Sequence, residues 1–365
     1  MYDVITIGSA TRDVYLKSPA FNLIKSDKFS TGVAECLALG SKNEASEIFL
    51  DTGGGATNAA VTFGNLKLKV GVLSRVGYDE AGNEIIKILK KAKVNTSLIQ
   101  KDHKRFTSYS TLLLTGTGQR SVLVYRGASN FINWEDAPQN KMKTKWFYVT
   151  SLGGHAKRAQ SHAERGGDIK LLKKIFDFAG RKKIKIAWNP GGGELALGIK
   201  KLSKYIKQTA VFNLNREEAA ELADLPFNNL DGIIKKLESV VGNVLVITDG
   251  KAGAYAVQKF PISNFQFPIK IQNLKSKIYN PKSKFIIYFA SSLGTKPLST
   301  TGAGDAFGSG LVAGLILKNN LDYALRLATL NSDGVIQKMG AKNGLLESRP
   351  SLKKLKKVKI TFYKL

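Results

Sequence analysis

Only one cysteine, Cys36, occurs in the 365 residues of this chain. No intrachain disulfide and no thiolate metal cluster can form, which suits a reducing compartment. The three histidines, His103, His155 and His162, are scattered, so a histidine metal site or triad has no support. No apolar run approaches the roughly 20 residues of a membrane span; Leu311–Leu317 is short and is broken by Gly314. Near the N-terminus Asp3 precedes an apolar run of only Val4 to Ile7, too little for a secretory signal. A cytoplasmic protein is the expectation.

Acids are also scarce: 28 Asp and Glu stand against 56 Lys and Arg, a formal net charge of +28. A surface this basic attracts polyanions, nucleic acid and ATP alike. The lysines are nevertheless spread along the chain. Lys90-Lys91-Ala92-Lys93, Lys173-Lys174 and Lys235-Lys236 fall in expected helices, where charges form a solvated face. The densest run, Leu352 to Lys359, reads as a solvated edge more readily than as a binding arm. No helix-turn-helix, zinc-finger or aromatic-rich basic motif accompanies it, so nucleic acid is not the expected partner.

What is present is enough apolar residue, 43%, for one large α/β core or two smaller ones. Val4-Ile5-Thr6-Ile7-Gly8 reads as a buried strand ending in a turn. From about Asp13 to Asp51 short apolar runs alternate with turn residues, without a helical period. Thr107–Thr115 and Arg120–Tyr125 read as strands joined by a Gly116-Thr117-Gly118-Gln119 turn. From about residue 146, strands at Trp146–Thr150, Ile184–Trp188, Ala210–Leu214, Asn243–Thr248 and Phe285–Phe289 alternate with helices. The helices include Ile169–Phe178, Glu217–Ala223 and Leu230–Val240, and residues 158–168 read as a polar surface loop. Such alternation implies crossover units and a mostly parallel sheet covered on both faces. Four polar stretches follow the C-terminal ends of strands: Asn189-Pro190-Gly191, Asn215-Arg216-Glu217-Glu218, Thr248-Asp249-Gly250 and Thr300 to Asp305. Ligands of open parallel sheets bind along that rim.

The run Ser299-Thr300-Thr301-Gly302-Ala303-Gly304-Asp305 is the most informative of the four. Phe307, Leu311, Val312, Leu315 and Ile316 recur at helical spacing immediately after it, and Thr301 is placed to cap that helix. The N–H groups of Gly302, Ala303 and Gly304 would converge where the helix dipole favours an anion, with Asp305 beside them. Donors for an anion beside a carboxylate suit transfer of a phosphoryl group to a hydroxyl. A capped helix whose small residues serve close packing fits the spacing equally well.

This run resembles the C-terminal signature, D-T-T-G-A-G-D-A-F, of the ribokinase-like (PfkB-type) carbohydrate kinases. Gly53-Gly54-Gly55-Ala56-Thr57-Asn58-Ala59-Ala60 and Gly77-Tyr78-Asp79-Glu80-Ala81-Gly82 resemble that family's N-terminal elements, and the similarity runs from Asp3 to about Leu346. The resemblance implies an α/β three-layer sandwich, with a mostly parallel central sheet and a small β-sheet lid from about residues 13–51 and 104–127. All of 1–365 would form a single kinase domain. It implies Asp305 as catalytic base and Gly302, Ala303 and Gly304 as the anion hole. Asn215 and Glu218 match an N-x-x-E motif that organises magnesium near the nucleotide, although Asn215 capping a helix with Glu218 as its capping-box acid is compatible with the same spacing. Thr248, Gly250 and Gly253 match a turn along the nucleotide, and Asn331 falls where relatives line the adenine pocket or carry a structural amide. Asp13, in Gly8-Ser9-Ala10-Thr11-Arg12-Asp13, matches the acid that binds two sugar hydroxyls, with Gly54, Gly55 and Asn58 beside it. Arg126 comes where some relatives face the substrate, and a solvent-facing strand arginine is equally compatible.

Three departures stand out. Ser299 replaces an aspartate that in ribokinase helps to hold a monovalent cation, so the need for that cation is left open. Lys67 stands where a small residue is usual, and reads as a surface turn. Glu217 beside Glu218 leaves two acids for the metal role. The expected activity is ATP- and Mg2+-dependent phosphorylation of a sugar hydroxyl, a primary one by expectation. A nucleoside kinase is the alternative, with the base resting on Phe21, Phe29 or Phe49, and a phosphosugar kinase follows. A non-catalytic nucleic-acid-binding protein on the same scaffold is the rival of a different class. Relatives often pair through the lid, which makes a homodimer compatible.

Overall fold

In a computed structural model of the chain, residues 1–28, 32–115, 120–153, 169–259 and 285–363 are described. The 116–119 turn, the 158–168 loop, Phe29, His155 and His162 lie outside them.

Alternation within the strands builds the core. Val4, Trp146, Tyr148, Ala187, Val211, Val244 and Val246 bury into one apolar cluster, and Ile5, Phe147, Ile186, Phe212, Leu245 and Ile247 into another. Side chains of a strand alternate faces, so these strands are covered on both sides. They belong to a nine-stranded sheet. Tyr2–Ile7 lies between Val70–Leu73 and Thr144–Val149, and the sheet continues through Lys185–Trp188, Val211–Asn215 and Val244–Thr248, all parallel. Helices Gly55–Asn65, Glu80–Lys91, Ala303–Lys318 and Leu321–Ile336 cover the first face. Helices Ile169–Lys182, Gly198–Ile206, Arg216–Ala223 and Leu230–Glu238 cover the second. The three layers are therefore present.

The far edge departs from the expected alternation. Gly253–Lys259, Phe285–Ser291 and Ile360–Tyr363 complete the sheet as antiparallel neighbours. The tight turn after Thr248 sends the chain straight back into Gly253–Lys259, with no helix between the two strands. The lysine-rich tail leads into the last edge strand, and charge beside an exposed edge opposes further strand pairing.

Four strands form a second sheet, in the order Arg120–Tyr125, Ser108–Leu114, Thr11–Lys17 and Glu47–Gly53. Its register sets Asp13 directly opposite Asp51. Asp13, Ser110, Leu112, Arg120, Val122 and Val124 all line one cavity. Ile48, Leu50 and Leu123 lie on the other face and are exposed. No helix among the described residues is long and apolar enough to cross a membrane.

Phe176, on the layer remote from this cavity, packs edge-on against Trp188 and Tyr205 with centroids 5.6 and 5.3 Å away. Phe176→Ala is expected to lower stability by about 3–5 kcal/mol in urea unfolding. A loss below about 1 kcal/mol would contradict this account of the core.

Candidate active site

Two cavities meet at the loop that opens helix Ala303–Lys318. The first, about 470 Å³, is lined by Asp13, Gly54, Gly55, Asn58, Arg126, Gly302 and Asp305, among others. The second, about 520 Å³, is lined by Thr248, Gly250, Gly253, Ala303 and Gly304 and by the Ser292–Pro297 segment. Thr300 lines both.

Local chemistry explains the meeting. Gly302 is the N-cap, with φ 79° in the left-handed region, and a Cβ there would come within 2.7 Å of Ala341. Only glycine takes that conformation and that approach without strain. Thr301 was expected to cap the helix. It does not: no side chain caps it. The first-turn N–H groups of a helix lack intrahelical partners, and the Ala303 N–H makes only a long turn bond, 3.3 Å, to the Thr300 carbonyl. The loop is thus a set of donors at a positive helix end.

Asp305 sits in the first turn. Burial pushes its carboxyl above the usual range, while a hydrogen bond from Asn58 and the charge of Lys342 pull it back. The Asn58 Nδ2 donates to Asp305 Oδ2 at 2.8 Å. Gly54, at φ 94°, lets the start of helix Gly55–Asn65 press against the turn after Tyr2–Ile7, where a Cβ would lie 2.5 Å from the Ser9 carbonyl oxygen. Asp13 is buried and accepts from the Thr11 hydroxyl at 2.8 Å. Burial raises its carboxyl, opposed by Lys342.

Three residues picked out from sequence line neither cavity. Asn331 is fully buried. It donates to the Ala306 carbonyl and the Thr62 hydroxyl, and accepts from the Leu346 N–H. It is a structural amide, while its helix neighbours Thr329, Ser332 and Asp333 line the second cavity. Asn215 and Glu218 form the reciprocal capping box of helix Arg216–Ala223, at 2.8 and 2.9 Å. Asn215 is paired with Thr248 across the sheet, so the box stands beside the second cavity. Glu217 is exposed, whereas Glu218 is half-buried and feels the charge of Asp305.

Sequence reading missed three residues. Lys342 Nζ donates to the Thr52 carbonyl at 2.5 Å and to Asn58 Oδ1 at 2.7 Å. Asp51 is buried and accepts from Asn343 Nδ2 at 3.2 Å. Arg120, on the second sheet, donates to the Thr300 hydroxyl at 3.1 Å. Alternation marks Arg120 as a cavity-facing position; nothing local distinguishes Lys342 from a surface lysine.

Among the described residues no group of three or more histidine, cysteine or acidic side chains is arranged to hold a metal. Magnesium needs less, because it keeps several waters and takes one or two carboxylates together with phosphate oxygens. Glu218, an oxygen donor close enough to sense Asp305, fits that requirement.

A family profile described as pfkB family carbohydrate kinase matches residues 1–349. The probable fructokinase-7 of Arabidopsis thaliana is 26% identical over 325 residues, covering 82% of this chain and 81% of that protein. The structure of Arabidopsis thaliana ribokinase complexed with ribose and ATP superposes with a TM-score of 0.69 at 16% identity, covering 97% of this chain and 99% of that one. The nucleoside kinase of Methanocaldococcus jannaschii, an archaeal member of the ribokinase family, gives 0.68 at 17% identity, covering 97% and 98%. Both structures share the fold.

Glu218 carries a pH signature. Burial first, then the carboxylates of Asp305, Glu217 and Glu221, push its carboxyl up to about 7 from an ordinary 4.5. A carboxyl raised in the folded state contributes stability that is complete below about 4.5 and is lost as pH rises through about 7. Glu218→Gln is therefore expected to gain stability relative to the parent between about pH 5 and pH 8, read as the difference in urea midpoints. A difference independent of pH would contradict the assignment.

Proposed function

Because the chain belongs to the pfkB family of carbohydrate kinases, we propose that the two cavities hold an acceptor sugar and ATP on either side of the loop from Thr300 to Asp305. The observation that carries this reading is the division of that loop. Gly302 and Asp305 face the first cavity, Ala303 and Gly304 the second, and Thr300 both. The enzyme is an ATP-dependent sugar kinase.

In the proposed reaction Asp13, with Asn58, Gly54 and Gly55 beside it, binds the sugar; a carboxylate offers two acceptor oxygens to neighbouring hydroxyls. Arg126 lines the same wall. The nucleotide lies along Thr248, Gly250 and Gly253, with its γ-phosphate at the N–H groups of Gly302, Ala303 and Gly304. Asp305 takes the proton of the acceptor hydroxyl, taken to be a primary one. The hydroxyl oxygen bonds to the γ-phosphorus as the bond to the β–γ bridging oxygen breaks, and ADP leaves. The N–H groups stabilise charge on the transferring oxygens. Glu218 would hold magnesium through water, and the bound ion would offset phosphate charge. Asn215 supports Glu218 through the capping box and need not touch the nucleotide.

A sugar is favoured over a nucleoside because no aromatic side chain is among the described residues lining the first cavity. Among the described residues a base would find no aromatic stacking surface there. Phe49 packs against Tyr15 instead, and Phe21 does not line the cavity. We read the whole chain as one kinase domain with the four-stranded sheet as its lid, working in the cytoplasm. Ile48, Leu50 and Leu123, exposed on the outer face of that sheet, support pairing of two copies there.

The test is ADP release from Mg-ATP over a panel of pentoses, hexoses, sugar acids and nucleosides. Turnover is expected with a sugar, and Asp305→Asn is expected to lower kcat by roughly 10²–10⁴-fold with the fold unchanged. Turnover with nucleosides alone would replace the acceptor assignment. Near-parental turnover in the variant would remove Asp305 as base.

A further inference from the structure

Lys342 takes part in none of these steps, yet its ammonium reaches into the centre of the site. It belongs to Gly340-Ala341-Lys342-Asn343-Gly344, the loop after helix Leu321–Ile336. The loop is fastened to the second sheet at two points: Asn343 to the Asp51 carboxylate, and Lys342 to the Thr52 carbonyl. The remaining bond runs inward. Lys342 Nζ donates to Asn58 Oδ1 at 2.7 Å, and Asn58 Nδ2 donates to Asp305 Oδ2 at 2.8 Å.

The polarity of this chain is fixed at both ends. An ammonium has donors only and an ionised carboxylate acceptors only. An amide between them satisfies both in one orientation, oxygen toward lysine and NH2 toward aspartate. We propose that Lys342 is a positioning residue for phosphoryl transfer, which locks the Asn58 amide so that its NH2 holds one oxygen of Asp305 and leaves the other for the acceptor hydroxyl. Lys342 acts through Asn58 and does not touch the reacting atoms. The inference rests on the kinase reading above.

Charge gives the role its measurable signature. The carboxylates facing Lys342 are Asp51 and Asp13 from the second sheet and Asp305 from its helix; burial pulls the ammonium down to about 8 and these three oppose that fall. The same ammonium lowers Asp305. Without it, Asp305 would ionise at higher pH, and its basic form is the one that accepts the hydroxyl proton. The acid limb of kcat/KM must then move upward. A lysine that only clamps the loop would lower activity by the same factor at every pH.

The experiment compares the parent with Lys342→Met and Lys342→Gln, using the acceptor found in the panel. It follows kcat/KM against pH, and the Asp305 carboxyl by NMR of 13C-aspartate-labelled protein, assigned with Asp305→Asn. For Lys342→Met we expect kcat to fall about 10- to 100-fold with KM for ATP little changed. The acid limb and the Asp305 midpoint should rise together by about one pH unit. Lys342→Gln, which keeps a donor for Asn58 but no charge, should recover part of kcat and none of the shift. It also serves if the methionine variant does not fold. Turnover by the parent with both midpoints unmoved in a folded variant overturns the role of Lys342. A moved midpoint with no turnover on any acceptor keeps the coupling and overturns the kinase reading instead.

Discussion

Burying a carboxylate at the first turn of a helix, next to backbone N–H groups without intrahelical partners, is the constraint on which this molecule is organised. Desolvation disfavours the charged form, and phosphate brought to the same helix end would disfavour it further. Asp305 can serve as a base only if neighbours restore its charge. The Asn58 amide and the Lys342 ammonium act in that direction, one from helix Gly55–Asn65 and the other from the loop after helix Leu321–Ile336. Strand Glu47–Gly53 brings Asp51 to anchor that loop. The polar centre is therefore a network in which each member is held by an element from another part of the chain.

The scaffold supplies the precision that such a network needs. Strands buried on both faces fix where each C-terminal end lies, and the rim loops inherit that position. Glycine then brings the loops into contact. At Gly302 and Gly54 the backbone comes so close to Ala341 and Ser9 that a Cβ would collide. The cavities share a wall one loop thick, so groups bound in the two would lie on either side of a common set of N–H groups, an arrangement suited to group transfer.

Much of this was legible in the sequence, for a physical reason. Parallel strands covered on both faces appear as short apolar runs between helical periods, so the run from Trp146 to Thr248 disclosed its layers. Asp13, Asn58 and Asp305, which line one cavity, were singled out through the resemblance of their glycine-rich segments to family motifs. Lys342 and Asp51 were not found, because their meaning is set by register and by contacts nearly 300 residues apart in sequence. The antiparallel edge was hidden because Gly253–Lys259 carries no helix to mark its reversal. Asn331 was expected at a ligand because a polar residue on a helix that borders a cavity can equally turn inward, and here it does. The Asn215 and Glu218 pair carries two readings in one spacing: the capping box is made, and it leaves Glu218 near Asp305.

The central claim is that acceptor and nucleotide meet across the Thr300 to Asp305 loop, with Asp305 at the acceptor oxygen. A crystal structure of the protein with its acceptor sugar and a non-transferable ATP analogue tests this most directly. The account predicts the γ-phosphate within hydrogen-bond distance of the Gly302 to Gly304 N–H groups, and an acceptor hydroxyl against the free oxygen of Asp305. A sugar seated with no hydroxyl near Asp305, or a nucleotide bound away from the second cavity, would contradict it.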